Sequence, residues 1–566
     1  MSEQIADLTQ QLLNLQDQLP EQRNEVLKKL FREQDPAALA VAGKYAWKNA
    51  TPDFMLDFLA QNMPGPEEKE RRSVLVINRA WGYGGIARVA VLQIAYFLQL
   101  GYRVCCIHQA NSGEQQFPFP EGVVLHHLSD DASPEERAAF LQDVVRREKI
   151  DFVVRHTVSI RNLQLDLLVL KWACRLPVIL QNHDNFFFHI KGGTTSHVFS
   201  RQFRIFSQAD RVITLSRMDE QLFRAAGVKA VYLPNPVVFA TENSAPAEPV
   251  RQKSIIWCCR LDPIKRPQDL VPIMTKVVKH VPDAHLYVLG DGICLEPLRD
   301  AVAEAGIGES VTFTGYCADV NRYLTQGACF LSTSESEGFS CSFLEALNAG
   351  LPVVSYELPF HELNREKNGG VLNVPMGDTA AAAAALIRLL TEPQFRQQQA
   401  EMALAHAEKY RTFDYKGAYD SLIRNLTREM PPLPEENWQQ NVGIMIHSMG
   451  HFLQIGKQKI VDLKNEMIHE KKEIILRKNE KIAQLRALLE KERNRIAEQQ
   501  QRIAEQQQRI AEQEAQITAL NARVAELSQP WLKRKIQGGI RCLREHGFRY
   551  TFKRLFQKIG NKLCRK

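Results

Sequence analysis

Apolar and polar positions divide the chain into several regimes. From residue 74 to about 236, short apolar runs (74–78, 104–107, 152–154, 178–180 and 212–215) alternate with stretches of helical period such as 86–100 and 134–148. Strands that are apolar throughout are covered on both faces, so this alternation predicts a parallel, doubly wound sheet. Leu233-Pro-Asn-Pro236 reads as a linker. A second alternating set follows, with strand-like runs at 254–258, 286–289, 311–313, 329–331 and 353–355, and ends near residue 430. The fold class is therefore α/β, with two doubly wound domains. Ligands of such sheets bind outside the carboxyl ends of the strands, so a cleft between the two domains is expected to hold the site.

The flanking segments follow other rules. In residues 1–70, Ile5, Leu8, Leu12, Leu15 and Leu19 repeat at 3-4 spacing. That spacing fits a coiled-coil seam and a helix packed on the body equally well. From about 455 to 527 an apolar residue recurs every seventh position, from Val461 and Ile468 through to Ile517 and Val524. This predicts a coiled coil about 100 Å long. Its d positions include Glu492, Gln499, Gln506 and Gln513, a thin seam that leaves the oligomer number open. In the last unit Phe548, Phe552, Leu555, Phe556, Ile559 and Leu563 line one helical face, and basic residues fill the rest. A basic amphipathic helix with aromatic anchors suits an anionic membrane surface, ahead of nucleic acid. The domains are read as 1–70 (helical extension), 71–237, 238–430, 455–527 (coiled coil) and 530–566 (basic tail).

Charge and cysteine usage sharpen this picture. The net charge is +7, yet the segment after residue 529 alone carries +11, so the body is slightly acidic. The 11 cysteines show no CxxC or Cys/His zinc spacing, and several fall in strand-like runs. That usage fits a reducing, cytoplasmic compartment. The amino terminus lacks a signal-peptide core, and no apolar run approaches the ~18 residues of a membrane span. The inner face of a membrane, reached through the tail, is the expected location.

The candidate chemistry centres on Glu337-Gly-Phe-Ser-Cys-Ser-Phe-Leu-Glu345. The run from Ala328 to Ser334 reads as a strand, and the run from Phe343 to Ala349 as a helix closed by Gly350 and Pro352. Glu337 then lies at a strand end, Glu345 lies one turn into a helix, and the amides of Gly338, Phe339 and Ser340 lie at the helix N-terminus. Such amides favour a phosphate, and flanking carboxylates accept hydrogen bonds from sugar hydroxyls. The segment resembles the donor-site signature of retaining glycosyltransferases of family 4, which have two Rossmann-like domains in the GT-B arrangement.

Four further segments carry the same resemblance, over roughly residues 74–430. In Trp81-Gly-Tyr-Gly-Gly-Ile-Ala-Arg88 it implies that Gly84 and Gly85 approach the donor diphosphate, with Arg88 toward the acceptor. In Arg260-Leu-Asp-Pro-Ile-Lys265 it implies a cationic clamp on the leaving diphosphate. In Gln181-Asn-His-Asp184 it implies that His183 reaches the transferred sugar and that Asp184 orients it or contacts the acceptor. Around Leu289-Gly-Asp-Gly292 and Val311 to Tyr316 it implies a frame for the nucleotide base, with Tyr316 beside it. The family's Gly-Gly-x-x-Glu element is replaced here by Leu358-Pro-Phe-His-Glu362, which puts the local loop shape in question.

The resemblance implies a retaining, hexosyltransferase-like enzyme with Glu337, Arg260, Lys265 and His183 as catalytic residues. Glu345 would hold the ribose. No metal and no cofactor are expected, since cationic side chains take the place of Mg²⁺. There is no convincing DxD, and Asp130-Asp131 reads as a helix cap. The expected partners are a nucleotide-sugar donor, a glycan or lipid-linked acceptor, a membrane surface and further copies of the chain through the coil, with no nucleic acid. A sugar-nucleotide epimerase of the same fold and an inactive coiled-coil scaffold are the rival readings.

Overall fold

A computed structural model describes residues 20–31, 53–78, 81–82, 84–109, 117–129, 131–157, 162–185, 202–237, 253–317, 319–358, 360–366 and 368–432, with positions 511 and 515. The heptad stretch near the amino terminus, all but two positions of the 455–527 repeat and the basic tail lie outside the described residues. The chain divides into two compact units, the second being residues 195–197 and 439–566. The first unit, which holds both sheets, is the one described below.

The first sheet has seven strands, β1 (Ser73–Ile77), β2 (Arg103–Gln109), β3 (Val124–Leu128), β4 (Phe152–Thr157), β5 (Val178–Asn182), β6 (Arg211–Thr214) and β7 (Ala230–Tyr232), in the order 3-2-1-4-5-6-7. Every pairing is parallel. The second sheet has six, β8 (Ser254–Cys258), β9 (His285–Leu289), β10 (Val311–Gly315), β11 (Cys329–Ser332), β12 (Val353–Tyr356) and β13 (Val371–Val374), in the order 10-9-8-11-12-13 and also all parallel. Strand order reverses between β1 and β4 and again between β8 and β11. Crevices open outside the carboxyl ends of strands at such switch points.

Two helices of the amino-terminal extension fall within the described residues, α1 (Pro20–Phe31) and α2 (Asp53–Asn62). Met55, Leu56, Phe58 and Leu59 of α2 are buried, Phe58 lies 6.1 Å from Trp172, and Asp57 pairs with Arg204. This stretch packs on the first lobe; the Ile5–Leu19 repeat, for which a seam and a packed helix are both open, lies outside the described residues.

The first-lobe helices that matter for the site are α3 (Gly85–Gln99), which follows β1, α4 (Pro134–Glu148) and α5 (Arg217–Ala225). The N-cap of α4 is Ser133, in a capping box with Glu136, and not the expected Asp130-Asp131 pair. Ser133 precedes Pro134 and stands three residues before Glu136, the spacing that a reciprocal cap requires. In the second lobe, α6 (Cys341–Asn348) follows β11 and α7 (Pro393–Arg411) lies farther along.

One boundary differs from the expected 430. The last helix, α8 (Tyr415–Arg424), joins the core of the first lobe, where Tyr415, Tyr419, Leu422 and Ile423 pack with Phe97 and Phe152. Tyr96 stacks on Tyr415 at 6.0 Å. The second lobe therefore ends before residue 415, because the apolar stripe of α8 finds its partner face on α3.

Candidate active site

Lys265 and Glu337 come from the loops after β8 and β11, the adjacent strands at the second switch point. The loops are joined by main chain, since Glu335 N–H donates to Ile264 O (2.9 Å) and Thr333 Oγ1 to Lys265 O (2.7 Å). Lys265 Nζ donates to Glu337 Oε1 at 2.7 Å, and Ser334 Oγ donates to the same oxygen at 2.7 Å. The two side chains are only 16% and 11% exposed, so little water screens the pair. Burial would raise the Glu337 carboxyl, but the Lys265 charge and the two hydrogen bonds bring it below its ordinary range. Burial would lower the Lys265 ammonium, and Glu337 holds it above its usual value instead. Both groups are charged at neutral pH.

Arg260 is not drawn into this cluster. Its side chain is 73% exposed and pairs with Asp262 on its own loop, although its charge is near enough to oppose that of Lys265. The loop is seated by two glycines. A Cβ on Gly290 would lie 2.0 Å from Cys259 O, and one on Gly292 would lie 2.6 Å from Leu261 O. Arg266 takes a left-handed conformation and pairs with Asp269 at 2.8 Å, which assigns it to the fold.

Two helix N-termini meet where the Glu337 loop ends. Gly84 (φ 105) turns the chain out of β1 into α3, and a Cβ on Gly85 would stand 3.8 Å from Cys341 Sγ at the start of α6. One turn into each helix, Arg88 pairs with Glu345 across the lobes. Burial raises the Glu345 carboxyl against the pull of Arg88. The first amides of an α-helix lack intrahelical acceptors, so the ends of α3 and α6 together form an anion-attracting edge. Within it the Ser340 amide is already engaged, donating to His361 Nε2 at 3.1 Å, and the Ser340 hydroxyl caps α6. His361, which stands just before Glu362 in the replaced element, steadies the loop through this bond and through Asn364 on its other ring nitrogen. Phe339 is buried, with its ring 5.6 Å from Tyr410, so it packs and does not line the cleft. Tyr316 lies half exposed after β10. Gly338 has a tighter role, since a Cβ there would stand 2.0 Å from His183 O.

That contact brings the His183 loop of the first lobe onto the Glu337 loop of the second. Asn185 Nδ2 donates to Glu337 O (2.6 Å) and to Ser336 Oγ (3.1 Å). His183 is buried, and burial lowers its imidazole to about 3. Its Nε2 lies 2.8 Å from His156 Nδ1, and His156 Nε2 lies 3.0 Å from Gln93 Oε1. Gln93 Nε2 donates onward to Gln181 Oε1 at 3.4 Å, so the amide oxygen is the atom that faces His156. Burial, then the His183 and Arg155 charges, hold His156 neutral as well. With both rings neutral, His156 carries its proton on Nε2 and accepts at Nδ1 from His183 Nε2–H. His183 therefore keeps its lone pair on Nδ1 and accepts, rather than donates, there.

Asp184 is the perturbed acid of the cleft. Burial, then the nearby Asp219 charge, raise its carboxyl to about 7 against the pull of Lys265. Its Oδ2 is buried without a hydrogen-bond partner. Glu362, from the replaced element, accepts from the Arg217 amide at the start of α5 (3.0 Å) and joins the lobes at a second point. Sequence reasoning missed His156, Gln93, Asn185 and Ser334. His156, Gln93 and Asn185 act on residues that only the fold brings near, whereas Ser334 and Asn185 stand inside segments already read, without a signal that sets their roles.

Comparison with known proteins bears on the family of each lobe and on the fold. Residues 83–239 match the family described as Glycosyltransferase Family 4, and residues 252–392 match Glycosyl transferases group 1. The chain is 26% identical over 199 residues to the UDP-N-acetylglucosamine–peptide N-acetylglucosaminyltransferase GtfA subunit of Streptococcus gordonii, covering 34% of this chain and 39% of that protein. It is 25% identical to the poly(glycerol-phosphate) alpha-glucosyltransferase of Bacillus subtilis, covering 38% of this chain and 32% of that protein. It is 30% identical to the phosphatidyl-myo-inositol mannosyltransferase of Mycobacterium leprae, covering 35% and 54%. The matched region thus spans between about a third and about half of these relatives. The pneumococcal O-GlcNAc transferase GtfA, solved with UDP and GlcNAc, shares the fold at a TM-score of 0.52 and 13% identity, covering 64% of this chain and 100% of that one. A sucrose-phosphate synthase from Thermosynechococcus elongatus does so at 0.53 and 16%, covering 63% and 99%. A glycosyltransferase family model thus matches each lobe, and both sheets share the GT-B fold of the solved structures.

Proposed function

We propose that this chain transfers a sugar from a nucleotide diphospho-sugar to a hydroxyl of a cell-surface polysaccharide or lipid-linked glycan, with retention at the anomeric carbon. The observation that carries the reading is the Lys265–Glu337 pair at the second switch point, on the loop that runs into α6, whose start lies beside that of α3. Several relatives bear names of cell-surface glycan or glycolipid transferases, and solved relatives of the same fold hold UDP or UDP-glucose.

The donor diphosphate would lie on the helix ends, and the Lys265 charge would turn from Glu337 toward it. Glu337 would then bind hydroxyls of the transferred sugar and support positive charge at its anomeric carbon. Arg88 releases Glu345 to the ribose hydroxyls and gains a phosphate instead. Arg260, free of packing, swings in from its surface position to complete the clamp. Preorganised charge of this kind stabilises a leaving diphosphate without a bound cation. His183 accepts a hydrogen bond from a sugar hydroxyl at Nδ1, and Asp184 faces the acceptor side. The tail would hold the enzyme at the cytoplasmic face of a membrane, and the coil would join copies.

The test is a thermal-shift panel of nucleotide-sugars, followed by NMR of the anomeric configuration of the product. The reading predicts stabilisation by one donor class and retained configuration. Inverted configuration would remove the retaining mechanism, and donor epimerised without release of nucleotide would favour the epimerase.

A further inference from the structure

The geometry points to a zinc-class divalent-cation site formed by Cys105, His126 and Glu148 at the outer edge of the first sheet. Cys105 lies on β2 and His126 on β3, its parallel neighbour. In the register Cys105 faces Val124 and Ile107 faces His126, so the two side chains stand on one face of the sheet, two residues apart along the ladder. Glu148, the last residue of α4, reaches the same point. The thiol sulfur, the imidazole nitrogen and a carboxylate oxygen all lie within 4.8 Å of one another. His126 Nε2 is 3.3 Å from Glu148 Oε1, and Cys105 Sγ is 4.0 Å from Glu148 Oε2. Ligand atoms around a tetrahedral zinc ion, at bond lengths of about 2.0–2.3 Å, stand about 3.3–3.6 Å apart. The trio is therefore within small side-chain adjustments of a metal-ready arrangement.

Two further observations favour a cation there. His126 Nε2 is buried and makes no hydrogen bond, although the Glu148 oxygen is near, and the ring is only 11% exposed. Buried polar atoms rarely go unpaired, and an imidazole nitrogen without a hydrogen bond can ligate a metal once it carries no proton. Arg103 Nη2 donates to Glu148 Oε2 at 2.6 Å, the outer-shell contact that orients a ligating carboxylate, while Oε1 remains toward His126. The Arg103 charge opposes a second cation, but a thiolate and a carboxylate together outweigh it. A sulfur, a nitrogen and an oxygen ligand select zinc over magnesium or calcium. Cys105 lies in the first half of β2 and Glu148 just precedes β4, so the site is at the opposite end of the sheet from the cleft. There a metal would pin the edge strand β3 to α4, with a fourth position left for water or an outside ligand. None of this rests on the proposed transfer reaction.

The test uses the full chain without an affinity tag, stripped with chelator, dialysed against zinc and assayed for bound metal, with cobalt as a spectroscopic substitute. The expected result is tight zinc binding and a thiolate-to-cobalt charge-transfer band. Cys105→Ser and His126→Ala should weaken binding by more than the about 10–100-fold that loss of an outer partner costs. His127→Ala, on the opposite face, should leave it unchanged. Glu148→Gln, at the end of a helix, gives the same reading should the cysteine variant fail to fold. No zinc retained, or zinc and the cobalt band undiminished in Cys105→Ser and Glu148→Gln, would overturn the site.

Discussion

Lys265 and Glu337 are each placed at a cost that only the other offsets. Breaking a buried ion pair by removing one partner strands a charge, at about 3–5 kcal/mol. Lys265→Ala should therefore lower the melting temperature, and it should reduce transfer about 10²–10³-fold through loss of the phosphate clamp. Adding Glu337→Gln should restore much of the stability and none of the activity. Full activity in the double variant, measured beside its melting curve, would contradict that separation. Asp184 gives a pH-dependent prediction. In the folded chain its carboxyl titrates at about 7 instead of 3.8, so the folded state keeps a proton that the unfolded chain has lost. Stability then falls as pH rises from about 4 to 7 and levels off above. Asp184→Asn removes that penalty, at most about 4 kcal/mol. Its melting temperature should rise relative to the parent at pH 8 and change little at pH 4, and equal shifts at both pH values would refute the assignment.

At the scale of elements, Gly338 is the contact on which lobe approach depends. A Cβ there would stand 2.0 Å from His183 O, a main-chain atom with no room to yield. Gly338→Ala should leave each lobe folded, with near-parent circular dichroism, and lower transfer at least about tenfold by displacing Glu337. Unaltered turnover would show that the loops do not need this approach. The elements also show what was legible beforehand. Every central strand was readable from its apolar run, because a parallel strand between two neighbours is covered on both faces. The strands left unread were β3, β7 and β13, and all three lie at sheet edges. An edge strand need not be apolar throughout, and β3 carries His126 and His127 within five residues. The strand–loop–helix setting of Glu337 and Glu345 was legible because turn and helix are local. The Arg88–Glu345 pair, the His183–His156–Gln93 chain and the surface placement of Arg260 were not, since each depends on side chains from separate loops.

At the largest scale, the first unit is two lobes held by a few long-range ties. Asn185 on the Glu337 loop, Glu362 on the Arg217 amide and α8 returning to the first lobe hold the cleft at its rim and its back. No helix among the described residues is long and apolar enough to cross a membrane. Deleting residues 530–566 should move the protein from the membrane fraction to the soluble one, and an unchanged distribution would assign attachment elsewhere. The central claim is that the cleft binds a nucleoside diphosphate through Lys265 on one side and Glu345 on the other. Calorimetric titration of the full chain with UDP, GDP and ADP, repeated on Lys265→Ala and Glu345→Ala, tests it most directly. Saturable binding of one of these nucleotides is expected, with at least about tenfold weaker binding in each variant. Binding of none of them, or binding as tight in both variants as in the parent, would contradict it.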